Sequence, residues 1–185
     1  LVPFADAAKK KGIKVYHLNI GQPDIESPPE VFEAIKKYDD KLIAYCHSHG
    51  VKEFVEGVCQ YYKTIGIDLT PENVNITNGG SEALQLALQI AFNPEDEVIV
   101  FEPFYVNYNA FALQNDVKFN PITTKIEDGF ALPKMEEVEK HITPKTRGIL
   151  ICNPNNPTGS LYTKESLNEL AKIVKKHNLW LFCDE

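Results

Sequence analysis

No apolar run in this 185-residue chain is long enough to cross a membrane. The longest, such as "VIVF" and "GILIC", are strand-sized, and no charged-then-apolar leader precedes them, so a soluble protein is expected. Cysteine is scarce and scattered. Cys46, Cys59, Cys152 and Cys183 form neither a CxxC pair nor a tight cluster with histidine, which argues against structural zinc and for a cytoplasmic setting with reduced thiols. A basic stripe is missing too: Lys and Arg number 19 against 26 Asp and Glu, a net charge of -7, and nucleic acid is therefore not an expected partner. Arginine is nearly absent, Arg147 being the only one. An initiating methionine is lacking, and the chain stops at Asp184 and Glu185, directly after the apolar "LWLFC". Few domains stop on the final residue of a core strand, so a chain cut at both ends is the expectation.

What is present is an alternation of helical and strand-like patterns, in a chain long enough for one real core. "SPPEVFEAIKKY" reads as a short helix with Ser27 as N-cap and Pro28 in its first turn. Val51, Phe54, Val55, Val58 and Tyr62 stand at helical spacing despite Gly57. "NVNIT" reads as a short strand, and "SEALQLALQIAF" as a helix too apolar for one-sided packing. Strands are expected at "EVIVF", "VKFNPI", "RGILIC" and "LWLFC". Between them come helices around Tyr105 to Gln114, around Pro133 to His141, and behind Thr163 as cap, with Leu167, Leu170, Ala171 and Val174 on one face. Strands apolar through their whole length, alternating with helices, argue for an α/β fold with a mainly parallel sheet buried between helical layers. The first two dozen residues differ, with "KKK" at 9 to 11 and then "VYHLNIGQPD", a strand-like run closed by Gly and Pro.

Ligands of open α/β sheets bind at the carboxyl ends of the strands, and each strand here is followed by a polar cluster. In "TNGGSEAL", Gly79 and Gly80 permit close backbone approach and Ser81 adds a hydroxyl where a helix begins, which suits a phosphate; a plain strand-to-helix turn with a serine cap fits equally. In "EPFYVNY", Tyr105 could lay its ring on a flat ligand, or join Phe104 and Tyr108 in the core. In "NPNNPTG", Pro154 and Pro157 fix the backbone around Asn153, Asn155 and Asn156, so that at least one amide is held as a donor; an Asn/Pro turn that simply ends a strand is the alternative. Asp184 ends an apolar run, where a carboxylate wants a cation such as a protonated ring nitrogen, unless it caps a following helix.

Taken together, "LNIGQPD", the "Y" to "G" pattern of "YCHSHG", "TNGGSEAL", "EPFY", "NPNNPTG" and a strand ending in "DE" resemble the fold-type I pyridoxal-phosphate enzymes, specifically the class I/II aminotransferase family. The resemblance covers nearly the whole chain. It implies a three-layer α/β/α sandwich, with residues 1–25 an N-terminal arm or part of a small domain and residues 26–185 the N-terminal part of the large, cofactor-binding domain. It implies pyridoxal 5'-phosphate as cofactor, an amino acid and a 2-oxo acid as substrates, and a homodimer with shared active sites. Asp184 would pair with the ring nitrogen, Asn156 would donate to the ring 3-oxygen, Tyr105 would stack on the ring, and Gly80 and Ser81 would hold the phosphate. Tyr45 would reach the phosphate of the neighbouring subunit, and Gly21 would leave room for the substrate carboxylate.

There are departures from the family pattern. The family's Schiff-base lysine lies beyond the aspartate, none of the lysines here matches it, and no tyrosine follows "DE". Arg147 precedes its strand and so falls at the wrong end of the sheet for the carboxylate-clamping arginine. Residues 1–185 by themselves are therefore expected to be inactive. Some aspartate-specific members carry a lysine near the place of Ser81, so aspartate preference is unsupported. His47 and His49 either line the substrate entrance or are solvated loop residues. An aminotransferase is the expectation; the alternatives are a carbon-sulfur β-lyase or related synthase of the same fold, and a non-catalytic fragment or regulator domain.

Overall fold

The computed structural model describes residues 2–18 and 20–185, so Leu1 and Asn19, the latter within "LNIGQPD", lie outside the described residues. The chain divides into two compact units, Leu1–Tyr45 and Cys46–Glu185. The first carries helices α1 (Val2–Lys10) and α2 (Pro29–Lys37), and none of its described residues is buried. Residues 13–17 form no strand. Ser27 is not the cap of α2 either. Pro28 occupies that position and Pro29 the first helical one, since proline's fixed φ and missing N–H suit a helix start without a side-chain cap.

In the second unit α3 (Lys52–Thr64) and α4 (Gly80–Ala91) precede the sheet. "NVNIT" forms no ladder among the described residues. Val74 is extended and buried, and the Ile76 N–H donates to the His49 carbonyl at 3.0 Å, but β-branched residues make a strand only where a neighbour supplies a row of partners. Then come β1 (Glu97–Glu102), α5 (Asn107–Gln114), β2 (Lys118–Thr123), α6 (Met135–Lys140), β3 (Thr146–Cys152), α7 (Lys164–Lys176) and β4 (Trp180–Asp184). The strands run parallel in the order β2-β1-β3-β4.

Apolar alternation along the central strands sends side chains to two separate cores. Val98 and Val100 of β1 and Leu150 of β3 pack under Leu84 and Leu88 of α4 and Tyr108 and Phe111 of α5. Ile99 and Phe101 of β1, with Ile149 and Ile151 of β3, pack on the opposite side against Val138 of α6 and Leu170 and Ile173 of α7. This is the expected layering, and it explains why β1 and β3 read as unbroken apolar runs. The cap of α7 is also as expected, with Thr163 Oγ1 accepting from Ser166 N at 3.1 Å. α4 differs from expectation: Leu86 and Ile90 are exposed, since only one flank of the helix meets the sheet among the described residues.

Gly148 of β3 lies directly against the first core. A Cβ there would stand 2.6 Å from Cζ of Phe92, whose ring is buried and packed edge-on to Phe182 at 5.6 Å. Gly148→Ala is expected to lower stability by about 1–3 kcal/mol, the usual penalty for overpacking a filled core, read as a fall in urea midpoint at unchanged slope.

Candidate functional site

The strand order creates the site. The chain leaves β1 toward β2 on one side, then returns to form β3 on the other, so the strand order reverses between β1 and β3, the kind of switch point at whose carboxyl edge open α/β sheets bind ligands. Tyr105 lies in the first loop and Asn156 in the second. Asp184 ends β4, opposite Cys152 at the end of β3. The first residue of α4, Gly80, lines with Asp184 one cavity of about 180 Å³, whose other walls include Ala83, Leu84, Ala87 and Phe182.

The three asparagines separate into different roles. Asn153 Oδ1 accepts from the Tyr162 N–H at 3.0 Å, and its backbone N–H donates to the Asp184 carbonyl at 3.0 Å. Asn155 is buried; its Nδ2 donates to the Pro103 carbonyl at 3.1 Å and to Thr158 Oγ1 at 2.7 Å, which fastens the loop after β3 to the loop after β1. Asn156 is exposed, and its side chain makes no hydrogen bond among the described residues. Asn156 is thus the one of the three whose side-chain amide is wholly uncommitted among the described residues, Asn153 using only its oxygen and Asn155 its nitrogen.

Asp184 is half-buried, and its Oδ2 accepts from the Tyr108 hydroxyl at 2.5 Å. Burial first, then this bond, pushes the Tyr108 phenol far above its ordinary range, so it stays protonated as a donor. Oδ1 has no partner among the described residues. The Tyr105 ring stands edge-on to that of Tyr108, centroids 5.5 Å apart, and its hydroxyl accepts from Asn107 Nδ2 at 2.7 Å. Tyr108 is the site residue that the sequence reading assigned to the core alone. The signal lay in its spacing, one helical turn past Tyr105, but its partner is 76 positions away.

At the phosphate-like end, Gly79 has φ of 81°, a conformation that favours glycine, and it turns the chain into α4. The amides of Gly80 and Ser81 open the helix, where no intrahelical carbonyl can accept them. Glu82, in the same turn, accepts from the Asn78 N–H at 2.6 Å. A Cβ added at Gly80 would meet nothing within 4 Å, so packing among the described residues does not demand that glycine. An anionic group could occupy the free space. The site residues of the second unit therefore fit a flat, phosphorylated heteroaromatic group: a carboxylate oxygen, a free amide, an aromatic face and a helix N-terminus at one edge of one sheet.

Other expected residues of the second unit stand apart from this cavity. His47 and His49 stack at 5.4 Å and, with Lys52, Glu56 and Glu72, line a separate cavity of about 530 Å³ that shares no residue with the Asp184 cavity. Arg147, near the start of β3, pairs with Asp96 at 3.7 Å, at the opposite end of the strand from the sheet's carboxyl edge. Tyr45 and Gly21 belong to the first unit; both are exposed, and a Cβ at Gly21 would meet nothing within 4 Å.

The family model for aminotransferase class I and II matches residues 13–185. The glutamate-pyruvate aminotransferase AlaA of Escherichia coli is 36% identical over 98% of this chain and 45% of its own length. The aspartate aminotransferase of Thermotoga maritima is 37% identical over 98% of this chain and 48% of its own length. The crystal structure of the Thermotoga maritima aspartate aminotransferase superposes with a TM-score of 0.92 at 36% identity, covering 99% of this chain and 49% of that one. An alanine aminotransferase structure from Pyrococcus furiosus gives 0.91 at 34% identity, covering 100% and 48%. The chain thus spans about half the length of the relatives it matches.

Proposed function

Given that this chain belongs to the aminotransferase class I and II family, we propose that it supplies much of the pyridoxal 5'-phosphate site of an enzyme moving an amino group from an α-amino acid to a 2-oxo acid. The observation that carries the reading is the single cavity shared by Gly80, at the opening of α4, and Asp184, at the end of β4. When bound, pyridoxal phosphate drains electrons from the substrate α-carbon, and does so best with its ring nitrogen protonated.

Asp184 holds that proton in place by supplying an anionic oxygen beside it. Asn156, with its amide uncommitted, donates to the ring 3-oxygen. Tyr105 covers one face and keeps water from it. Gly80 and Ser81 present backbone amides and a hydroxyl to the phosphate, with the positive end of the α4 dipole behind them. Gly21 leaves space for the substrate carboxylate. Tyr45, fully exposed, reaches the phosphate of a second copy in a homodimer. In this reading residues 26–185 belong to the large domain and residues 1–25 to an arm or small domain. No helix among the described residues is long and apolar enough to cross a membrane.

The relatives named above are aminotransferases, which favours transfer over the β-eliminating lyase. Protein expressed from the complete reading frame should show a visible cofactor band and consume amino acid only when a 2-oxo acid is supplied. Pyruvate released from cystathionine without an acceptor would instead establish the lyase.

A further inference from the structure

We propose that Tyr108 is a positioning residue for the cofactor: its phenol occupies one carboxylate oxygen of Asp184 and so leaves the other to face the ring nitrogen. The inference rests on the functional reading above and deepens it. A carboxylate at a strand end can turn about its terminal bond, and either oxygen could face the cavity. The Tyr108 hydroxyl at 2.5 Å from Oδ2 removes that freedom.

The donor is itself fixed. Tyr108 is 1% exposed, its ring lies parallel to Phe104 at 6.1 Å and edge-on to Tyr105 at 5.5 Å, and its backbone N–H donates to the Tyr105 carbonyl at 3.0 Å. One side chain therefore joins the ring proposed to stack on the cofactor to the carboxylate proposed to pair with it. The other titratable groups near this pair are Tyr105 before α5, Cys152 on β3, Cys183 on β4 and Glu185 just past its end. α4 faces the cavity with Gly80, Ala83, Leu84 and Ala87, none of which can titrate or donate from a side chain. Among the described residues, Tyr108 is the hydroxyl donor to this carboxylate.

A carboxylate relieved of one donor is a stronger acceptor for the remaining one. Without the phenol, Asp184 would take a larger share of the proton on a ring nitrogen it holds, and the bound cofactor would keep its titrating proton to higher pH. The measurable consequence is an upward move in the pH midpoint of the bound cofactor's visible band.

The test uses protein from the complete reading frame, loaded with pyridoxal phosphate, as the parent, as Tyr108→Phe, and with a ring-fluorinated tyrosine placed at position 108. The Phe variant keeps the ring packing and should raise the midpoint by about half a unit to one unit, a three- to tenfold change in proton affinity, and release cofactor faster. The fluorinated residue keeps the fold and is the better donor, so it should move the midpoint down, which keeps the test decisive even if the Phe variant does not fold. Midpoints that stay at the parent value would overturn the role of Tyr108 while leaving the functional reading intact. A parent that shows no cofactor band at all overturns that reading, and this proposal with it.

Discussion

In protein from the complete reading frame, Asp184→Asn is expected to cut turnover about a hundredfold at saturating cofactor while leaving the protein folded. Asparagine keeps the shape of the side chain and can still accept from Tyr108, so the loop and strand ends that meet there stay in register. What it cannot do is neutralise a protonated ring nitrogen. Neutralising one member of a buried ion pair costs about 3–5 kcal/mol, and each 1.36 kcal/mol is tenfold in rate. Asp184 is only half-buried, which places the effect at the low end of that range. Steady-state kcat measured with the circular-dichroism spectrum of each protein checks it. A variant that turns over as fast as the parent would remove Asp184 from the chemistry.

The neighbouring asparagines should respond in opposite ways. Asn155→Ala removes a buried donor and strands the Pro103 carbonyl and Thr158 hydroxyl, a loss of about 1–3 kcal/mol in stability. The loops after β1 and β3 would then part, and cofactor retention should fall with the urea midpoint. Asn156→Ala touches an exposed side chain with no partner among the described residues, so stability should stay within about 0.5 kcal/mol. Its turnover should nonetheless drop about tenfold to a hundredfold, because a hydrogen bond to a charged oxygen contributes roughly 1.5–3 kcal/mol. Urea titrations and kcat on the two variants separate the effects. The reverse pattern, with Asn156 structural and Asn155 dispensable to the fold, would contradict the geometry.

That contrast also shows where sequence reasoning stops. The parallel sheet was legible because strands buried on both faces must be apolar at every position, as at Val98 to Phe101 and Ile149 to Ile151. The α7 cap was legible because Thr163 and Ser166 are three residues apart and act locally. From the residues alone, which of the three asparagines stays uncommitted was not legible, because the answer depends on a carbonyl 52 positions earlier in the chain; the resemblance alone pointed to Asn156. Tyr108 was read as core for the same reason: its ring is core, and only its hydroxyl reaches the site. "NVNIT" has strand composition without a ladder, and composition says nothing about whether a neighbour is present. Ser27 lost the cap of α2 to Pro28 because two adjacent prolines fix the turn without side-chain help.

The switch point between β1 and β3 follows from the order in which the strands are laid down, whereas the cavity shared by Gly80 and Asp184 is walled by Leu84 and Leu150 of the first core. Ligand contact and thermal robustness are accordingly written partly in the same residues, Leu84 and Tyr108 among them. Redesign at an exposed position such as Asn156 would draw little on the reserve that keeps the interior folded, while redesign at Leu84 or Tyr108 would draw on it directly.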